Sequence, residues 1–99
     1  MIEQAEDALQ RARELRDLHA SYRERLQAAD GSANAFRLVD ELFIGPVVSR
    51  PMVAEDLSLT YAGAGLVVGK LIEVGILEPM AETRPQLYQA EELLEILQR

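Results

Sequence analysis

Between Ile2 and Ala29 the chain contains neither glycine nor proline. The stretch is built largely from Ala, Leu, Glu, Gln and Arg, which lose little freedom in a helix. Apolar residues recur within it at Ala5, Leu9, Ala12, Leu15, Leu18, Tyr22, Leu26 and Ala29. Steps of three and four describe one long amphipathic helix. A helix gains little stability from propensity alone, so this stripe must be covered by something. A chain that enters a long helix almost at its first residue also reads as a piece of a larger protein.

The remaining punctuation divides the chain into short elements. Asp30-Gly31-Ser32 ends the first helix, with Gly31 expected in the left-handed C-terminal position. A second helix is expected from Ala33 to Ile44, with Ala35, Phe36, Leu38, Val39, Leu42 and Phe43 inward, and Gly45-Pro46 stops it. Val47-Val48 can form a very short strand. Ser49 can cap a helix from Pro51 to Leu57 that buries Met52, Val53 and Leu57, proline being harmless in a first turn. After the turn at Ser58-Leu59, Thr60 can cap a helix from Tyr61 to about Val74, closed by Gly75. Ile76-Leu77-Glu78 and Leu87-Tyr88-Gln89 suit two strands joined by a loop from Pro79 to Gln86, and Glu91 to Leu97 suits a last amphipathic helix. The expected fold is mainly α with a small β-hairpin wing: a winged helix-turn-helix over residues 32–99, preceded by a long N-terminal helix over residues 1–31.

Charge narrows the partners. Seventeen acidic and ten basic side chains give a formal charge of −7, and five Arg face seven acids in residues 1–32 while five Lys/Arg face ten in residues 33–99. Neither half has the basic excess that drives binding to phosphate by counterion release. There is no cysteine and one histidine, His19, which reads as structural or incidental; no catalytic residue, metal site or cofactor is expected. No apolar run reaches membrane-spanning length, and a soluble cytoplasmic chain is the expectation.

The stretch Ser58 to Leu71 (SLTYAGAGLVVGKL) superficially resembles a phosphate loop. A P-loop requires Gly, four residues, then Gly-Lys and a hydroxyl residue. Here Leu71 follows Gly69-Lys70 and Ala64 stands five before Gly69, while Gly63, Gly65 and Gly69 have the wrong last spacing for a dinucleotide loop. A helix-turn-helix accounts for the pattern better. Ala64, Val67, Val68, Leu71 and Val74 make an inward face, and that face specifies the fold, not a ligand. Tyr61, Ala62, Gly63, Gly65, Leu66, Gly69, Lys70 and Glu73 are left on the face that such proteins turn to DNA.

A major-groove helix reads bases with Arg, Lys, Asn, Gln or Ser. This face offers only Lys70 and the Tyr61 hydroxyl, with Arg50 before the first motif helix and Arg84 in the wing as further phosphate contacts. Glu55, Asp56, Glu73, Glu78 and Glu82 outnumber them. Three glycines within a helix forgo on the order of 3 kcal/mol relative to alanine. Close approach of a protein backbone across Gly65 and Gly69, beside Leu66, is one return for that loss; drift of a disused reading face is the other. Arg50, Tyr61, Gly63, Gly65, Leu66, Gly69, Lys70 and Arg84 are therefore the candidate contacts for DNA or for a protein partner.

The runs Leu18 to Leu26 (LHASYRERL), Phe36 to Val48 (FRLVDELFIGPVV), Ala54 to Tyr61 (AEDLSLTY) and Leu71 to Glu78 (LIEVGILE) resemble the C-terminal region of Fic-family proteins. The resemblance implies a winged helix-turn-helix that follows a catalytic domain transferring AMP from ATP to protein hydroxyls. The family's His-Pro-Phe … Gly-Asn-Gly-Arg motif is absent, and His19 does not stand in one. The resemblance thus makes this chain a noncatalytic appendage acting in recognition or assembly. Its partner would be another protein, the parent catalytic domain, or a twofold mate through the N-terminal helix. At positions matching Gly63, Gly65, Leu66 and Gly69 the relatives tend to carry Thr, Asn, Arg and Lys, so inherited DNA binding is weakened. A DNA-binding regulator of winged-helix type is the alternative.

Overall fold

The computed structural model describes residues 2–98, with side chains from Asp7 onward. Among the described residues the chain forms five helices and three short strands: α1 (Ile2–Ala28), α2 (Ala33–Leu42), β1 (Val47–Ser49), α3 (Arg50–Asp56), α4 (Tyr61–Glu73), β2 (Glu78–Pro79), β3 (Leu87–Gln89) and α5 (Glu91–Leu97). It is a mainly α domain carrying a small antiparallel sheet.

One device ends three of the helices. After α1, Asp30 turns left-handed (φ 54°), and the Gly31 N–H reaches back to the Leu26 carbonyl at 2.7 Å. After α3, Ser58 (φ 56°) lets the Leu59 N–H reach Ala54 O at 2.8 Å; after α4, Gly75 (φ 79°) lets Ile76 N–H reach Leu71 O at 2.9 Å. Each is a Schellman closure that satisfies a carbonyl the helix leaves open. Gly75 plays its expected part, but Gly31 does not take the left-handed position. Asp30 does, its short polar side chain tolerating that backbone, while Gly31 is needed for closeness: a Cβ there would lie 3.0 Å from Leu26 Cβ.

Hydroxyl caps open the middle helices. Ser49 accepts from the Met52 N–H (3.3 Å) and Thr60 from the Gly63 N–H (2.9 Å), as the sequence suggests, and Ser32 adds a third cap by accepting from Ala35 N–H at 3.2 Å. The core is continuous from Tyr22 and Leu26 of α1 through Leu38, Val39 and Leu42 to Leu71 of α4 and Leu93 of α5. Phe36 and Phe43 only flank it. Met52, expected inside, is exposed: a seven-residue helix has one inward stripe, and Val53 with the cap residue Leu57 fills it.

The sheet has the order β1-β3-β2, with Val48 opposite Tyr88 and Pro79 also opposite Tyr88. The expected hairpin is therefore the outer part of a three-stranded sheet. Its first strand begins later than expected, because Ile76 and Leu77 are buried and both donate to Leu71 O, at 2.9 and 3.1 Å. They finish the helix closure and leave only Glu78–Pro79 to pair.

The C-terminal half of α1 lies on α2 and α5. His19 Nε2 meets Asp40 Oδ1 at 2.7 Å with its ring edge-on to Phe43, and Arg25 joins Glu92 (3.1 Å) and Gly75 O (3.3 Å). His19 is thus a bridge between α1 and α2. Further toward the N-terminus the stripe is uncovered, with Leu9 and Ala12 exposed; Ala5 lies outside the residues whose side chains are described. No helix is long and apolar enough to cross a membrane among the described residues.

Candidate functional site: the outward face of the fourth helix

Helix α4 buries Ala64, Val67, Val68 and Leu71, and Val74 beyond its end is half-buried. At about 100° per residue, Ala62, Leu66, Gly69 and Glu73 lie on the opposite side. Leu66 is 78 % exposed, and a Cβ placed on Gly69 would meet nothing within 4 Å. The outward ridge of this helix is an alanine, a leucine and a glycine before its first charge.

The cations beside the ridge are already engaged. Arg50, the first residue of α3, lays its guanidinium over the Tyr61 ring at 3.9 Å, and its Nε donates to Tyr61 O at 2.8 Å. Gly65 makes room for it, since a Cβ there would fall 2.5 Å from the guanidinium carbon. The close approach that Gly65 permits is therefore by a side chain of the same chain, not by a partner's backbone. On the other flank Lys70 Nζ donates to Ala29 O at 3.0 Å and pairs with Glu73 at 3.2 Å. It satisfies one of the carbonyls left open at the end of α1.

Arg50, Tyr61 and Gly65 thus form one contact group, and Gly63, Leu66 and Lys70 border a groove of about 400 Å³ against Asp30, Ser32 and Asn34. Gly63 also gives its N–H to the Thr60 cap. Arg84 is separate, exposed on the loop between β2 and β3, where Thr83 accepts from Leu87 N–H at 2.8 Å and Gln86 donates to Met80 O at 2.7 Å. Ile44 and Ile72 are exposed apolar residues that the sequence does not single out, and Met52, expected in the core, is exposed with them. Their apolar character resembles core composition, and only the positions of Val53 and Leu71 show that the core is already filled.

Two acidic side chains crowd the base of the sheet. The Glu91 carboxyl is held above its ordinary range by hydrogen bonding to Glu78 and by that residue's charge. Among the described residues no group of three or more acidic, histidine or cysteine side chains is arranged to hold a metal ion. Compared with protein-family models and with curated proteins, the chain matches none.

Proposed function

We propose that this chain is a noncatalytic winged helix-turn-helix module whose fourth helix docks protein where a DNA reader would dock a duplex. The order α2-β1-α3-α4-β2-β3, with α4 packed across α3, supports the winged arrangement. One observation carries the function: Arg50 beside α4 and Lys70 on its flank are bound to Tyr61 O and Ala29 O, leaving an apolar ridge outward. The surrounding charge of −7 works against phosphate in the same direction. In the setting suggested by the Fic resemblance, the module would follow an AMP-transferring domain, and a Fic motif in the reading frame upstream of Ile2 would establish that setting.

A DNA-binding regulator is the second reading, favoured by the exposed Arg84 on the β2–β3 loop. Titration of a random-sequence duplex at low salt tests between the two. The protein-docking reading predicts no saturable binding. A tight isotherm that weakens steeply with added salt supports the regulator instead.

A further inference from the structure

Strand β1 is an edge of the sheet, and its ladder leaves one residue unpaired. The Ala90 N–H donates to Pro46 O at 3.0 Å, so the next hydrogen-bonded pair of that antiparallel ladder is Val48 with Tyr88. On the other side of β3, Leu87 O accepts from Met80 N–H at 2.8 Å, as the same alternation requires. Val47 therefore turns its N–H and C=O away from β3, and neither has a partner among the described residues. An unpaired strand edge of this kind is a template for another extended chain.

Val47 also lines a hollow of about 140 Å³ enclosed by α2, β1 and α3, with Leu38 in its wall. A cavity of about 150 Å³ holds a group the size of benzene, so this one has room for a single aliphatic side chain. Two further wall residues, Ile44 and Met52, are 84 % and 44 % exposed, and an occupant would return both to apolar contact. The charged side chains of the wall are Glu41 and Asp56, and neither forms an ion pair among the described residues. The backbone groups thus select an extended chain and the hollow selects an aliphatic side chain. The carboxylates select cations two residues to either side, because one face of a strand carries every second side chain.

We infer that the free edge of β1 docks an extended segment of a protein partner. The segment pairs its main chain with Val47, seats an aliphatic side chain between Ile44 and Met52, and sets Lys or Arg against Glu41 and Asp56. This surface goes beyond the docking reading of α4 and does not depend on it.

A blocked Lys-Thr-Ile-Thr-Lys peptide, titrated to about 5 mM and followed by amide NMR, detects even a weak complex of this kind. The Val47 N–H should shift saturably and exchange more slowly in the complex. Glu-Thr-Ile-Thr-Glu should not bind, and Glu41→Lys combined with Asp56→Lys should exchange the preference between the two peptides. Methylating the three central backbone nitrogens of the peptide should weaken binding about tenfold, as loss of a main-chain hydrogen bond does. Ile44→Ser and Met52→Ser, both at exposed positions, should keep the wild-type melting temperature and weaken binding, while Leu66→Glu on α4 should leave it unchanged. No saturable shift at Val47, equal affinity for the two peptides, or binding indifferent to methylation overturns the inference. Loss of binding in Leu66→Glu would move the peptide to α4 and overturn it too. A Val47 shift that follows protein concentration without peptide would give the edge to a second copy instead.

Discussion

Arg50 lies across the face of Tyr61 with its guanidinium carbon 3.9 Å from the ring centre, and Gly65 is the gap in α4 that admits it. Two of the helix's glycines therefore differ in kind. Replacing Gly69 with Ala should stabilise the monomer by about 0.5–1 kcal/mol, because alanine favours the helix and nothing is displaced. Gly65→Ala gains the same propensity but expels the guanidinium, forfeiting a hydrogen bond and a cation–π contact of about 0.5–1 kcal/mol each. It should leave stability at or below wild type. In an Arg50→Ala background, Gly65→Ala should become as stabilising as Gly69→Ala; urea unfolding of the four variants checks this.

Lys70 joins α4 to the end of α1 through Ala29 O. Lys70→Met should cost about 1 kcal/mol in urea unfolding and speed amide exchange in the last turn of α1. If Lys70 were instead a free surface cation, neither quantity would move appreciably.

Tyr22 is wholly buried, and its hydroxyl has no hydrogen-bond partner of normal geometry; an approach to the Leu93 backbone offsets the burial only in part. Tyr22→Phe should be neutral or stabilising by about 1 kcal/mol, since it removes an unsatisfied group and keeps the ring. Burial first, then the nearby Glu92 charge, pushes the phenol up to about 12 from its ordinary 10.0. A raised folded value means that Tyr22's contribution is intact below pH 10 and is lost as pH rises from 10 toward 12, by about 2–3 kcal/mol. Chemical denaturation at pH 9 and pH 11 should show about half of that loss in wild type and a smaller change in Tyr22→Phe.

Glu91 opens α5, where a carboxylate is ordinarily favourable, yet its value is raised, so the hydrogen bond shared with Glu78 and then that residue's charge outweigh the helix dipole. The protonated form suits the folded state. The penalty is absent below the ordinary value of 4.5 and grows as pH rises through the folded one. Glu91→Gln should therefore raise the melting temperature at pH 7 more than at pH 4; an equal shift at both would place the repulsion elsewhere.

The elements of this fold were legible because glycine, proline and hydroxyl residues mark their ends. Ser49, Thr60 and Gly75 act as their chemistry suggests, and β3 and α5 have their expected residues. Asp30 was hidden because two neighbours could turn the chain, and only packing against Leu26 decides that Gly31 is needed for closeness. Ile76 and Leu77 have strand-like side chains, but their N–H groups are taken by Leu71. At the candidate site, the sequence places Ala62, Leu66, Gly69 and Glu73 outward, but it puts Gly63, Gly65 and Lys70 there too, which the fold leaves half-exposed, and it does not show what the cations touch. Arg50 and Lys70 find their partners eleven and forty-one positions away, beyond any local pattern.

The central claim is that the cations beside α4 are held by the protein and not offered to phosphate. The Arg50 Nε–H signal, followed by NMR through a titration with duplex DNA at low salt, addresses it most directly. The structure predicts a resolved resonance shifted by the Tyr61 ring, slow to exchange because it is bonded to Tyr61 O at 2.8 Å, and unmoved as DNA is added. A rapidly exchanging signal that moves progressively with DNA would contradict the claim.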